Sequence, residues 1–443
     1  MSPPFLMFSV HQHWDPLKVC AVGRSYPPEF YSYIKDARVR NVFEKIAQET
    51  EEDYQKLISK LEEFGVDVVR TDISDDHEIY RTGTSVPTPP MCPRDFTAMI
   101  GSEFFMPSEK YGDDIDVDQE LRAIQKWSSF DETYKVLNNS PELTEYLCDL
   151  FLPGRAVELS PSTVMKLRNS IGKIKSINRL MKIIGKDNLE KLIIQARTNT
   201  IGSNNKFPNF KEYYAFESIR NKLLESGNKI TYDKYVSTAN VTRVGKDLYH
   251  SLGNIVNLLT RERCEENANT LFPDYRNHTL SIAGHSDGNF CPVKPGLIVS
   301  IRDESHYTET FPDWEVVYLE GQSWYMLGEH LKHKKKVRGR YWVPGEENND
   351  AFHDYISDWY NHWVIYSEET VFDVNMLVID EKNVICNNEN EQVFKAFERH
   401  GITPHVINFR HRYFWDGGLH CITSDLHRDG TRQDYFPDRE VDQ

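Results

Sequence analysis

An α/β protein built from repeated modules closed on themselves, rather than from one doubly wound sheet, is what this sequence predicts. Two observations carry that expectation. An amphipathic helix, a glycine that stops it and a following strand recur along the chain, and hairpin-like pairs of strands turning at glycine lie between these units. A supersecondary unit of this size cannot bury its apolar face alone, so several copies must pack on one another.

The first helical unit spans 41–64, where Phe43, Ile46, Ala47, Tyr54, Leu57, Ile58, Leu61 and Phe64 keep helical spacing; Gly65 can end it, and 66–69 reads as a strand. Residues 96–106 then read as a hairpin turning at Gly101-Ser102. A helix is expected from an N-cap at Ser160 or Ser162, through Val164, Leu167, Ile171, Ile174, Ile177 and Met181, to Gly185, with a second short helix over 188–196. The lysines and arginines of this stretch read as a solvated helix face, with recognition of a partner as the alternative. The helix–glycine–strand grammar returns at 219–227. Hairpins follow at 240–250, turning at Gly245-Lys246, and at 290–301, turning at Lys294-Pro295-Gly296. The last unit is a helix over 393–401 followed by a strand over 402–407.

At 443 residues the chain can bury a large core, as a single domain or as about three by length alone. Its net charge of −16 opposes general nucleic-acid binding, which needs a basic face, and suits a small cationic substrate. The run 332–340 has six Lys/Arg in nine residues, yet within so acidic a chain it reads as a surface loop. The seven cysteines are an odd number without CxxC or Cys/His clustering, so neither a disulfide framework nor a metal site is expected. Reduced thiols point to a cytoplasmic protein. The first ten residues lack the basic segment and long apolar run of a signal peptide, and no stretch reaches the roughly 18 apolar residues of a membrane span.

Three short stretches carry chemistry. Gly417-Gly418-Leu419-His420-Cys421-Ile422-Thr423 places a thiol behind two glycines, where the backbone can approach a ligand closely. His285-Ser286-Asp287 sets an imidazole two residues before a carboxylate, and Pro93-Arg94-Asp95 sets another carboxylate at the mouth of an apolar strand. Nucleophile, general acid/base and two anions fit attack on a planar cation. For Asp95 the plainer alternative is an ion pair with neighbouring Arg94, and Cys20, Cys92, Cys148, Cys264, Cys291 and Cys386 read as buried hydrophobes.

These stretches stand in an ordered set with Trp14-Asp15-Pro16-Leu17, Val22-Gly23-Arg24, Ile100-Gly101-Ser102-Glu103, the segment 212–218, Arg243-Val244-Gly245-Lys246-Asp247 and the segment 375–430. In that order they resemble the amidinotransferases of the guanidine-modifying (pentein) superfamily, the glycine amidinotransferases above all. The resemblance implies a pentein five-bladed α/β propeller, in which five ββαβ units surround a pseudo-fivefold axis with the active site in the central channel. It implies one domain over 1–443, with 108–206 as a helical insertion where the family has a shorter connection.

The same resemblance implies the roles. Cys421 is the nucleophile, His285 the general acid/base, and Asp95 and Asp287 the guanidinium clamps. Ser237 stands where the family carries the acid that orients the histidine, and Asp233, four residues earlier, is the substitute. Arg302 lies beside the position of the family's substrate-carboxylate arginine, which is Glu304 here, and Ser367 near that of a substrate-loop serine. The implied reaction is ping-pong transfer of an amidino group from arginine, or a related guanidine, to an acceptor amine such as glycine. It needs no cofactor, no metal, no membrane and no nucleic acid, and the resemblance admits a homodimer. Attack by water would make the chain a deiminase-type hydrolase, and loss of the orienting acid would make it a non-catalytic binding protein.

Overall fold

A computed structural model describes residues 7–73, 89–106, 176–191, 215–233, 236, 238–251, 265–266, 268–280, 282, 285–301, 307–322, 343–356 and 373–439. Strand β1 (Leu17–Val22) runs parallel to β2 (Asp67–Arg70). The next sheet pairs β3 (Ala98–Ile100) antiparallel with β4 (Glu103–Met106), and β4 parallel with β5 (Lys229–Tyr232). That pattern repeats in β6 (Val241–Val244), β7 (Asp247–Ser251) and β8 (Arg276–Leu280), and in β9 (Phe290–Lys294), β10 (Leu297–Ser300) and β11 (Glu315–Tyr318). It repeats again in β12 (Leu377–Asp380), β13 (Asn383–Cys386) and β14 (Thr403–Val406). The final strand, β15 (Thr423–Arg428), lies antiparallel to β1 and completes the first sheet. Five three-stranded sheets of one pattern are therefore present among the described residues, in the number and order of a pentein.

A parallel pair cannot be joined by a tight turn, so each second strand must cross over to the third. Helix Ala37–Glu63 makes the first crossing. Asp36 caps it by accepting from Arg38 N–H, and its apolar face buries Val39, Val42, Phe43, Ile46, Ala47, Tyr54, Leu57 and Leu61. Helices Glu217–Glu225 and Glu391–Arg399 precede β5 and β14 in the same way, and Gly65, Gly227 and Gly401 follow the three helices with positive φ. The three expected hairpins close where the glycines are: Ile100 pairs with Glu103, Val244 with Asp247 and Leu297 with Lys294.

The β12–β13 hairpin carries no glycine signal. Its turn is held by the Asp380 carboxylate, which accepts from Lys382 N–H at 2.7 Å and from Asn383 Nδ2 at 3.0 Å.

Within 108–206 the described part is a helix, Ile177–Ile184, and a further helical stretch over 186–191. Ser176, expected inside the helix that runs to Gly185, is instead its N-cap, with an extended backbone that lets its hydroxyl accept from Arg179 N–H. The stop at Gly185 holds, while the second stretch starts two residues earlier than expected. Ser160, Ser162, the rest of 108–206 and the basic run 332–340 lie outside the described residues.

Burial grades across each sheet. β15, β3 and β6 are buried along their whole length, whereas β2, β5, β11 and β14 are largely half-buried or exposed. The first strand of each module is thus the inner one, and the chain segment leading into it arrives at the centre. Beneath that centre the inner strands are pinned by charge. Asp425 of β15 takes both oxygens to Arg243 Nη2 at 2.8 Å, one to Arg94 Nη2 at 3.2 Å and one to Arg428 Nε at 2.8 Å, with all four side chains buried. Arg243 also donates to Met99 C=O and Arg428 to Val378 C=O, so β3, β6, β12 and β15 share one knot. Burial pushes the Asp425 carboxyl up, but the three guanidiniums outweigh it and hold it well below the usual carboxylate range.

Candidate active site

The site is built from the turns that enter the five inner strands. Pro93–Asp95 and Ser286–Gly288 are single 3-10 turns ahead of β3 and β9; 238–240 precedes β6, 373–376 precedes β12, and 417–422 precedes β15. Each turn is bonded to the next. Ala239 N–H donates to Arg94 C=O at 3.3 Å, and Ser286 N–H to Ala239 C=O at 2.7 Å. Asn375 Nδ2 reaches Asp287 C=O at 3.4 Å, and His420 N–H donates to Asn375 Oδ1 at 2.9 Å. Arg94 Nε closes the circle on His420 C=O at 2.7 Å and Thr423 C=O at 2.8 Å. Five similar modules about one axis therefore bring together residues spread over more than three hundred positions of sequence, Arg94 and Thr423 among them.

Cys421 lies inside this circle, fully buried. Its Sγ is 2.9 Å from Asn375 Nδ2 and 3.4 Å from Asp287 Oδ2. Asp287 Oδ2 also accepts from His420 Nδ1 at 2.8 Å, while Asp287 Oδ1 is buried without a hydrogen-bond partner among the described residues. Such an oxygen is an acceptor waiting for a donor, since a buried carboxylate oxygen is costly to leave unmet. Burial pushes the Asp287 carboxyl up, but the His420 bond, reinforced by the fields of His420, His285 and Arg94, leaves it below its ordinary value, an anion at neutral pH. His420 is driven down to about 4, first by burial and then by Arg94, so it serves as a neutral N–H donor.

His285 and Asp95 are more open, with side chains 29% and 23% exposed, and His285 Nδ1 stands 3.8 Å from Asp95 Oδ1, too far for a hydrogen bond. Of the four side chains singled out in the sequence, Cys421 and Asp287 are therefore buried side by side, while His285 and Asp95 are neighbours on two adjoining turns of the same circle and more exposed. Arg94 does not pair with Asp95. Its guanidinium turns inward to Asp425 and to the carbonyls that bracket Cys421. Asp233 follows β5, half-buried, with its N–H on Met106 C=O at 2.8 Å. Ser237, Arg302 and Ser367 lie outside the described residues. No group of three or more His, Cys, Asp or Glu among the described residues is arranged to hold a metal ion.

Sequence reasoning passed over Asn375, His420 and the inward role of Arg94. Asn375 stands in no motif with catalytic chemistry, and its partner Cys421 is 46 residues away. The one local sign was Gly418, where a Cβ would lie 2.4 Å from Asn375 Oδ1.

No protein-family model matches the chain. Among characterised proteins it is 27% identical over 238 residues to the mitochondrial glycine amidinotransferase of Gallus gallus, covering 51% of this chain and 47% of that one. It is 22% identical over 233 residues to the L-arginine:L-lysine amidinotransferase of Pseudomonas savastanoi pv. phaseolicola, covering 51% and 54%. The chain thus spans about half the length of these relatives. A solved amidinotransferase of the saxitoxin biosynthetic pathway, from Microseira wollei, superposes with a TM-score of 0.50 over 97% of this chain and 99% of that one, at 16% identity, a likeness of fold.

Proposed function

Because the chain belongs to the amidinotransferase/pentein superfamily, we propose that it moves the amidino group of arginine, or of a related guanidine, to an acceptor amine such as glycine through a covalent intermediate on Cys421. The observation that carries this reading is Asp287, with one carboxylate oxygen 3.4 Å from Cys421 Sγ and the other buried and unmet among the described residues. A guanidinium bonded to that oxygen sets its carbon beside the sulfur. Asp95, beside His285, supplies a second anion to the same cation.

A guanidinium carbon is a poor electrophile because three nitrogens share its charge. Attack by the Cys421 thiolate forms a C–S bond and a tetrahedral adduct. His285 gives a proton to the departing amine as the C–N bond breaks, leaving the amidino group on sulfur. The acceptor amine then attacks that carbon, loses a proton to His285, and the C–S bond breaks to return the thiolate. In this reading Ser237 or Asp233 orients His285, and Arg302 and Ser367 face the amino-acid part of the substrate. The chain acts in a reducing compartment such as the cytoplasm, in keeping with the described cysteines, all of which carry thiols rather than disulfides.

Intact mass after incubation with labelled arginine, with and without glycine, tests this. We expect a gain of one amidino group that disappears on adding the acceptor and is absent in Cys421→Ser. Citrulline with no transfer product would make the protein a hydrolase, and an adduct on another cysteine would overturn the assignment of the nucleophile.

A further inference from the structure

Asn375 sits where a thiolate would need help. Among the described residues, the charged and titratable groups about Cys421 include Asp287 and His285 from the turn before β9, Arg94 and Asp95 from the turn before β3, and His420 beside it, with His13 against His420, Asp425 behind Arg94 and Cys92 against Gly417. The Asp287 carboxylate lies 3.4 Å from the sulfur, and a like charge opposes ionisation. Asn375 Nδ2 approaches the same sulfur at 2.9 Å.

The orientation of that amide is dictated by its other end. Asn375 Oδ1 accepts from His420 N–H at 2.9 Å and Cys421 N–H at 3.3 Å, so a flip would face two N–H groups with an NH₂. Asn387 Nδ2 holds Asn375 C=O at 2.7 Å, and Asn375 is fully buried, so the amide has no room to turn away. The close fit also accounts for Gly418, whose Cβ would strike Asn375 Oδ1.

From this geometry, and resting on the reading of Cys421 as nucleophile, we propose that Asn375 is the donor that holds the Cys421 thiolate against the Asp287 carboxylate. In the resting thiol the S–H points to Asp287 Oδ2. When that proton is lost to solvent, the sulfur keeps a charge-assisted N–H bond from Asn375.

Thiolate absorbance in the far ultraviolet reads this without requiring a reagent to reach the buried sulfur. Titrated as wild type minus Cys421→Ala, the signal isolates this one cysteine; Cys20 and Cys291 are in any case pushed up to about 12 by burial. We expect the wild-type midpoint to lie below the ~8.5 of free cysteine, and Asn375→Ala to raise it by about one unit, a tenfold loss of thiolate at a given pH. Asn375→Asp, which keeps the acceptor for both backbone N–H groups but removes the donor and adds an anion, should raise it further. A wild-type midpoint at or above that of free cysteine overturns the proposal, whatever the variants do, and so do coincident midpoints in wild type and Asn375→Ala. No substrate enters the titration, so a low wild-type midpoint without any arginine adduct would defeat the transfer reading and leave the role of Asn375 standing.

Discussion

Asp287 and His420 form a pair whose members respond to acid in different pH ranges. His420 has its folded pKa driven down to about 4 from an ordinary 6.5, first by burial, so between those values the unfolded chain binds the proton and the folded one does not. Stability from this group is complete above pH 6.5 and is lost as pH falls toward 4, on the order of 3 kcal/mol at most. Asp287, held below its ordinary 3.8, gives stability that is present above that value and lost only as pH falls through its lower folded one. Urea unfolding from pH 7 to 4.5 should therefore show a smaller drop in His420→Gln than in wild type, and equal drops would refute a buried neutral His420. The guanidinium-clamp role of Asp287 makes a separate prediction. In a Cys421→Ser background, Asp287→Asn should weaken arginine binding by about 1.5–3 kcal/mol in calorimetry, as for loss of a charged hydrogen bond. Unchanged binding with a lowered melting temperature would make Asp287 structural.

Of the three glycine hairpins the β6–β7 turn is the tightest against its surroundings, whereas the β9–β10 turn at Gly296 has open space around it. Gly245 has φ +64°, and a Cβ there would lie 2.1 Å from the carbonyl oxygen of Gln433 in the segment after β15. That segment is stitched to the turn, since Gln433 C=O accepts from Lys246 N–H at 2.9 Å. Gly65, after the first helix, has a similar φ of +72° but open space around it. Left-handed strain alone costs about 1–2 kcal/mol for a residue with a Cβ. Gly65→Ala should lose about that much, and Gly245→Ala more, because backbone must also move. Equal urea midpoints for the two variants would show that the 431–435 segment yields freely.

Closure of the molecule rests on β15, which pairs with β1 and carries Asp425 into the centre. One carboxylate there faces three buried guanidiniums, so the knot is already cation-rich. Asp425→Asn keeps the shape and removes the carboxylate that the three guanidiniums share, and stability should fall by about 3–5 kcal/mol, the range for stranding a buried charge. The Cys421 turn should loosen as well, because Arg94 holds its flanking carbonyls and Asp425 holds Arg94. A urea midpoint within error of wild type would mean that the arginines find other partners and that the knot is dispensable.

What could be read from the sequence was what acts over short stretches. Helical spacing marked 41–64, the three glycine hairpins were legible from their turns, and Cys421, His285, Asp287 and Asp95 stood out because their neighbours restrict what they can be. The β12–β13 hairpin escaped because a carboxylate rather than a glycine makes its turn, and the helix start at Ser176 because a capping serine reads like any other polar residue on a helix. The β1–β15 pairing, the Asn375–Cys421 contact across 46 residues and the Arg94–Asp425 bond across 331 were decided only by the tertiary structure. Local propensity does not encode which side chains meet on the axis. That depends on five inner strands arriving together, with burial then making each polar group at the centre find the partner that the ring presents.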